Sequence, residues 1–175
     1  MKILHQVIPV IGLVTAGIEE NVYISTKNLK FALKTLKLHI NSRYTLLTSI
    51  AGVDYLYSKY RFGIAYDLLS LVHNSRIRLK IFINEITFVE TAEDTFLNAN
   101  WWEREIWDLF GIYFKQHSDL RRILTDYGFE GFPMRKDFPL SGFLEVRYDQ
   151  TKKRVVLEPM SLAQEFRFFV FETPW

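Results

Sequence analysis

The sequence predicts an α+β domain: a small antiparallel or mixed sheet with helices packed on it, followed by an extended, largely irregular C-terminal arm. Three observations carry this. Ile77, Leu79, Ile81 and Ile83 alternate strictly with Arg76, Arg78, Lys80 and Phe82, the period-two pattern of a strand with one buried face. Leu29, Ala32, Leu33, Leu36 and Ile40 recur at helical spacing. Past residue 110 the pattern weakens, and four of the five prolines (Pro133, Pro139, Pro159, Pro174) accumulate there. The expected organisation is an N-terminal segment of uncertain role (1–29), an α+β domain (30–110) and a partner-binding arm (111–175).

In chain order, Val7 to Ile18 comes nearest to a continuous apolar run, but Pro9, Gly12, Thr15 and Gly17 interrupt it. It is too short to span a membrane as a helix. With Lys2 ahead of it, it has the outline of a short signal-peptide core, against which stand the single basic residue and the lack of a disulfide framework. Val22 to Ile24 reads as a short strand. The helix from Leu29 to Ile40 follows, with Lys30, Lys34 and Lys37 on a solvated face. Tyr44 to Val53 and Arg61 to Val72 are rich in β-branched and aromatic residues at strand length, and His73-Asn74-Ser75 is a turn into the alternating strand. Strands joined by short turns pair antiparallel.

Two short helices are expected next. Thr91-Ala-Glu-Asp94 resembles a capping box. Asn100 caps a second helix, Trp101 to Phe110, which Gly111 ends in the left-handed conformation. Projected at about 100° per residue, Trp102, Ile106, Leu109 and Phe110 share one face, and Trp101 and Trp107 fall off it on opposite sides. Arg104 and Asp108, four apart, are placed to pair. Large aromatics outside the stripe call for burial on a second side, by the arm of this chain or by a partner. In the arm, Phe132 and Phe138 precede prolines and are biased to extended backbone. Glu145 to Tyr148 and Arg154 to Leu157 read as two strands around Asp149–Lys153. An aromatic-rich extended segment needs a surface to lie on, and the economical choice is another subunit.

Composition narrows the chemistry. There is no cysteine, which excludes thiolate-held clusters, Cys zinc sites, disulfides and a Cys nucleophile. A net charge of +2, from 22 basic and 20 acidic residues, argues against nucleic acid as partner. Phe, Tyr and Trp make up 16% of the chain, which fits either an extensive interface or A/T-rich codon usage. His5, His39, His73 and His117 are widely separated, and neither a metal-binding His pair nor a glycine-rich phosphate loop occurs. Glu103 and Glu105 point in different helical directions, which makes them a poor acid–base pair. No catalytic, cofactor-binding or metal-ligating residue is expected. A row of lysines from Lys27 to Lys37 leaves a second reading open, a free-standing module for an acidic ligand.

The run Trp101-Trp-Glu-Arg-Glu-Ile-Trp-Asp-Leu-Phe-Gly-Ile112, then His117 and Asp119-Leu-Arg-Arg-Ile-Leu124, resembles the thirty-kilodalton subunit family of respiratory complex I, NADH:ubiquinone oxidoreductase. The likeness continues through Arg135-Lys-Asp-Phe-Pro-Leu140, Glu145-Val-Arg-Tyr-Asp149, Glu158-Pro159 and Gln164-Glu-Phe-Arg167. Upstream, Gly52-Val-Asp-Tyr55 and Asn74-Ser-Arg-Ile-Arg78 also fit. One departure is Phe132, where the family usually carries His. The resemblance implies a non-redox structural subunit of the peripheral arm that braces the quinone-site and iron–sulfur subunits. Flavin, clusters and quinone would then sit in those partners, with none in this chain. It implies a hetero-oligomer at the matrix side of the mitochondrial inner membrane, or the cytoplasmic face of a bacterial membrane, with no membrane span of its own. A related hydrogenase-type membrane complex is the neighbouring alternative. The residues that it marks as partner contacts are Trp101, Glu103, Arg104, Glu105, Trp107, Asp108, His117, Arg121, Arg122, Arg135, Lys136, Asp137, Arg147, Phe166 and Arg167.

Overall fold

The computed structural model describes residues 7–16, 19–162, 164–173 and 175. It divides into two compact units, Met1–Asp137 and Phe138–Trp175. The first holds a five-stranded mixed sheet, in the order β1 (Val10–Ala16), β2 (Glu19–Ile24), β5 (Ser75–Ile83), β4 (Phe62–Ser70), β3 (Leu46–Asp54). As the short turns require, β3, β4 and β5 pair antiparallel. β2 runs parallel to β5, because helix α1 (Leu29–Leu38) carries the chain away from the sheet before β3 begins.

Several expectations shift. The segment read as an interrupted apolar run contains β1, antiparallel to β2. So the N-terminal segment, whose role the sequence left open, contributes two strands to the sheet. α1 ends at Leu38, and Ile40 lies beyond it with 72% of its surface exposed. The strand expected to reach Val72 stops at Ser70, and Leu71 and Val72 are exposed in the turn. Thr91–Asp94 forms no helix; its threonine is bonded elsewhere, as described below.

One apolar core fills the inner side of the sheet. Leu29, Ala32, Leu33 and Leu36 of α1 meet Ile64, Tyr66, Leu68, Leu79 and Ile81 of the strands. Ile106 and Phe110 of helix α2 (Ala99–Phe110) close it over β3, where Phe110 meets Phe62 edge-on at 6.4 Å. Gly52 of β3 makes room: a Cβ there would lie 2.9 Å from the Phe110 ring. α2 ends as expected, with Gly111 at φ 76° and its N–H donating to the Trp107 carbonyl.

The compact unit extends past residue 110. Phe114–Lys115 (β7) pairs in parallel with Val89–Glu90 (β6), which pulls the chain after α2 back beside the segment that precedes it. Residues 111–137 therefore form a strap on the first unit, because backbone and side-chain bonds from α2 tie them down. In the second unit β8 (Leu144–Asp149) and β9 (Arg154–Pro159) form the expected antiparallel hairpin, and the described residues that follow carry neither helix nor strand.

Candidate functional site

α2 carries three charged side chains that are buried: Glu103, Arg104 and Asp108. A carboxylate out of water must be satisfied by donors. Asp108 meets this demand through the strap. Its Oδ2 accepts the backbone N–H groups of Ile123, Leu124 and Thr125 at 3.2, 2.7 and 2.9 Å. Its Oδ1 accepts the Thr125 hydroxyl at 2.6 Å and Arg122 Nη1 at 3.1 Å. Burial would raise its pKa, but the Thr125 hydroxyl and these N–H groups outweigh it, so the carboxyl sits below its ordinary value. The expected partner, Arg104, goes elsewhere. Its Nε faces the Arg121 carbonyl at 3.4 Å and its guanidinium lies over the Trp101 ring.

Glu103 reaches the other way. Its Oε2 accepts the Thr91 hydroxyl at 2.6 Å, and its Oε1 accepts the Ala92 N–H at 2.7 Å. His117 Nε2 stands 3.9 Å from Oε2 and 3.1 Å from the Asn100 carbonyl, and its Nδ1 accepts the Asp119 N–H. With Nδ1 accepting, Nε2 carries the proton that is donated to the Asn100 carbonyl. Neither Lys nor Arg pairs with Glu103 among the described residues. Burial pushes its carboxyl up to about 7, against the Thr91 and Ala92 bonds and with the charges of Glu93 and Asp94 adding to it. Asn100, expected as a helix cap, lies in the first turn and donates to Glu93, which also accepts from Ser118.

A third cluster anchors the end of the strap. Asp54, on edge strand β3, takes a forked bond from Arg61 Nε and Nη2 at 3.0 and 3.2 Å and the Lys136 N–H at 2.9 Å. Arg61 also pairs with Asp137 at 2.8 Å and with Glu85. Arg135 donates to the Phe110 carbonyl at 2.7 Å and lies over the rings of Phe62 and Phe132. Phe132 is thereby held between Arg135, Arg122 and Trp107. An aromatic ring suits this place, since two guanidinium planes find a π face there.

Most of the expected contact residues therefore bind their own chain. Glu103, Asp108, His117, Arg122, Arg135, Lys136 and Asp137 bind strap, loop and sheet together. Trp107, off the buried stripe, packs on Tyr113 and Phe132 of the strap. Trp101 is 59% exposed and Glu105 half-buried; Arg121 pairs with Asp119 at the surface. Arg147 pairs with Glu158 across the hairpin, and Phe166 and Arg167 are exposed in the second unit. Asp54 and Arg61 are essential to these clusters yet were not singled out from the sequence. Asp54 had a signal, an acid within the Gly52–Tyr55 motif on a strand otherwise poor in charge. Thr91 was read as a helix cap, and nothing local pointed to Glu103, which lies 12 residues on.

The sequence profile described as "Respiratory-chain NADH dehydrogenase, 30 Kd subunit" matches residues 22–144, from β2 through the strap. The chain belongs to this family. Within the 30 Kd subunit family, "NADH dehydrogenase [ubiquinone] iron-sulfur protein 3" of Beta vulgaris is 57% identical over 140 residues, covering 80% of this chain and 73% of that protein. "NADH-ubiquinone oxidoreductase subunit 9" of Reclinomonas americana is 53% identical over 157 residues, covering 90% and 77%. A chain in the structure of the membrane-bound sulfane sulfur reductase, an archaeal respiratory membrane complex, shares the fold with a TM-score of 0.69. It is 21% identical, over 79% of this chain and 83% of that one. The plant name mentions iron–sulfur, but this 30 Kd subunit homologue has no cysteine to supply a thiolate. No three His, Asp or Glu side chains gather at ligating distance among its described residues. The residues present do not fit a cluster.

Proposed function

We propose that this chain is a non-redox structural subunit of the peripheral arm of NADH:ubiquinone oxidoreductase. It braces the subunits that hold the quinone site and the iron–sulfur clusters, and it contributes to NADH oxidation and proton translocation only through the assembled complex. Flavin, clusters and quinone are carried by those partners, and the chain works at the matrix side of the mitochondrial inner membrane.

The observation that carries this reading is the surface of the second unit. Val146, Tyr148, Val155 and Leu157 of its hairpin are exposed, as are Phe166, Phe168, Phe169 and Val170 beyond it; Phe171 is 92% and Trp175 98% exposed. So many exposed large apolar side chains in one short segment mark an interaction site. Phe, Tyr and Trp with interspersed Arg are the residue types that anchor one. The family membership names the assembly in which it would be covered. The lysine helix gives little support to a free-standing module for an acidic ligand. Lys30 pairs with Asp94, and Lys37 caps the Thr95 carbonyl and lies over Phe96.

Truncation after Asp137 tests the reading, with native gels of solubilised membranes as the readout. The truncated chain should be made and retain the first unit, while the full-size NADH-oxidising complex is lost and smaller subassemblies accumulate. A complex of full size and activity without residues 138–175 would refute the bracing role.

A further inference from the structure

Among the described residues no helix covers one face of the first unit's sheet, and that face has a defined shape. The outward side chains of β3 and β4 are small at the centre: Ala51, Ala65 and Gly63 form the floor of a groove of about 240 Å³. Phe82 and Tyr55 make its aromatic wall, and Tyr23 backs Phe82. Tyr23 and Phe82 stack at 5.9 Å, and Tyr55 meets Phe82 at 5.8 Å. Gly63 lies so close beneath that a Cβ would meet the Tyr55 ring at 2.9 Å. Val53, Tyr55 and Phe82 remain exposed.

The sequence of β4, Phe-Gly-Ile-Ala-Tyr-Asp-Leu-Leu-Ser, is almost continuously apolar. That is the composition of a strand covered on both faces, whereas a strand with one wet face alternates. β5, next to it, does alternate, and outward beside Phe82 it presents a cationic row: Arg76, Arg78 and Lys80. Asp67 is the one carboxylate opposed to them among the described residues, and it is engaged by Arg78 and Ser49. Lys80 lies over the Tyr23 ring and, like Arg76, has no carboxylate partner among the described residues.

We infer that an amphipathic helix of a partner subunit docks on this face, its apolar stripe over β3 and β4 and its carboxylates toward the cationic row of β5. The small floor lets a helix approach the sheet closely, and helices are the elements that cover such faces. Alternate residues along β5 are about 6.6 Å apart, and successive turns of a helix about 5.4 Å apart. Across the three residues of the row the two repeats drift apart by about 2.4 Å, which the long Arg and Lys side chains can span. The inference rests on the reading of the chain as a subunit of an assembly, and adds to it the chemistry of one neighbour.

Carbodiimide coupling of the intact complex, read by peptide mass spectrometry, tests it. The reagent joins an amine to a carboxylate in contact. Lys80 should couple to an Asp or Glu of another subunit, in a segment with apolar residues at helical spacing, and should resist acetylation far better than Lys152 and Lys153. Lys80→Glu should loosen retention of the chain in the complex about tenfold by like-charge repulsion, and reversal of the coupled acid to Lys should restore it. Coupling to residues 138–175 of this chain or to a second copy, free acetylation of Lys80, or a shielded Lys80 that couples to nothing would each overturn the inference. A chain found in the full-size complex with Lys80 open refutes this docking alone; a chain found in no large assembly refutes the proposed function as well.

Discussion

Glu103 makes a quantitative demand on the first unit. In the unfolded chain its carboxyl titrates near the ordinary value of 4.5; in the fold burial raises it to about 7. Between those values the folded state holds a proton that the unfolded state has released. Stability therefore falls as pH rises, by about 1.4 kcal/mol per pH unit and about 3 kcal/mol over the window. Below pH 4.5 the protonated form is present in both states and the penalty vanishes. Glu103→Gln keeps the shape and removes the charge. Its amide oxygen can still accept the Ala92 N–H, and its NH2 can donate to the Thr91 hydroxyl, which turns from donor to acceptor. Urea unfolding of the wild-type chain and the Gln variant in parallel, from pH 4 to 8.5, isolates this group because the other titrations cancel. The difference between the two should move by about 3 kcal/mol in favour of the variant as pH rises from 4.5 to 8. A difference that stays constant across that range would show that Glu103 ionises as an exposed carboxyl does, and the account of its burial would be wrong.

Asp108→Asn should cost about 3–5 kcal/mol, as when one partner of a buried pair is removed. It should also expose the 121–125 segment, read as faster tryptic cleavage after Arg121 and Arg122. In the wild type the low pKa of Asp108 means that its contribution is lost as pH falls below the ordinary carboxyl range, the opposite sense to Glu103. Gly111→Ala places a Cβ 2.6 Å from the Phe132 ring and 2.9 Å from Arg135 Nη2 at φ 76°, and should lower the melting temperature. The left-handed backbone alone costs about 1–2 kcal/mol. Phe110→Ala empties the space between α2 and β3 and should cost about 3–5 kcal/mol in chemical denaturation.

Local pattern was legible wherever it repeats. The alternation of Ile77 to Ile83 placed β5, the spacing of Leu29 to Leu36 placed α1, and Gly111 marked the end of α2, because period and cap chemistry are properties of neighbours in sequence. The charged residues of α2 were legible as a signature but not in their roles. Four-residue spacing paired Arg104 with Asp108 on an isolated helix. In the fold the strap supplies three N–H groups, a hydroxyl and Arg122 to the same carboxylate, and a fully buried acid takes the larger set of donors. Thr91 was assigned to a helix for a similar reason. The capping-box pattern is local, and the Glu103 carboxylate that claims its hydroxyl arrives from 12 residues away.

By itself, then, the amino-acid order determined the sheet-and-helix class, the positions of most elements, the family, and the inability of a cysteine-free chain to hold a cluster through thiolates. Only the tertiary structure decided that β1 and β2 complete the sheet, that residues 111–137 belong to the domain, and that most of the signature binds the chain to itself. The physical reason is desolvation. Which polar groups lose water is set by segments brought together from far apart in the chain, and each buried charge then selects its partners from whatever the fold has placed within reach.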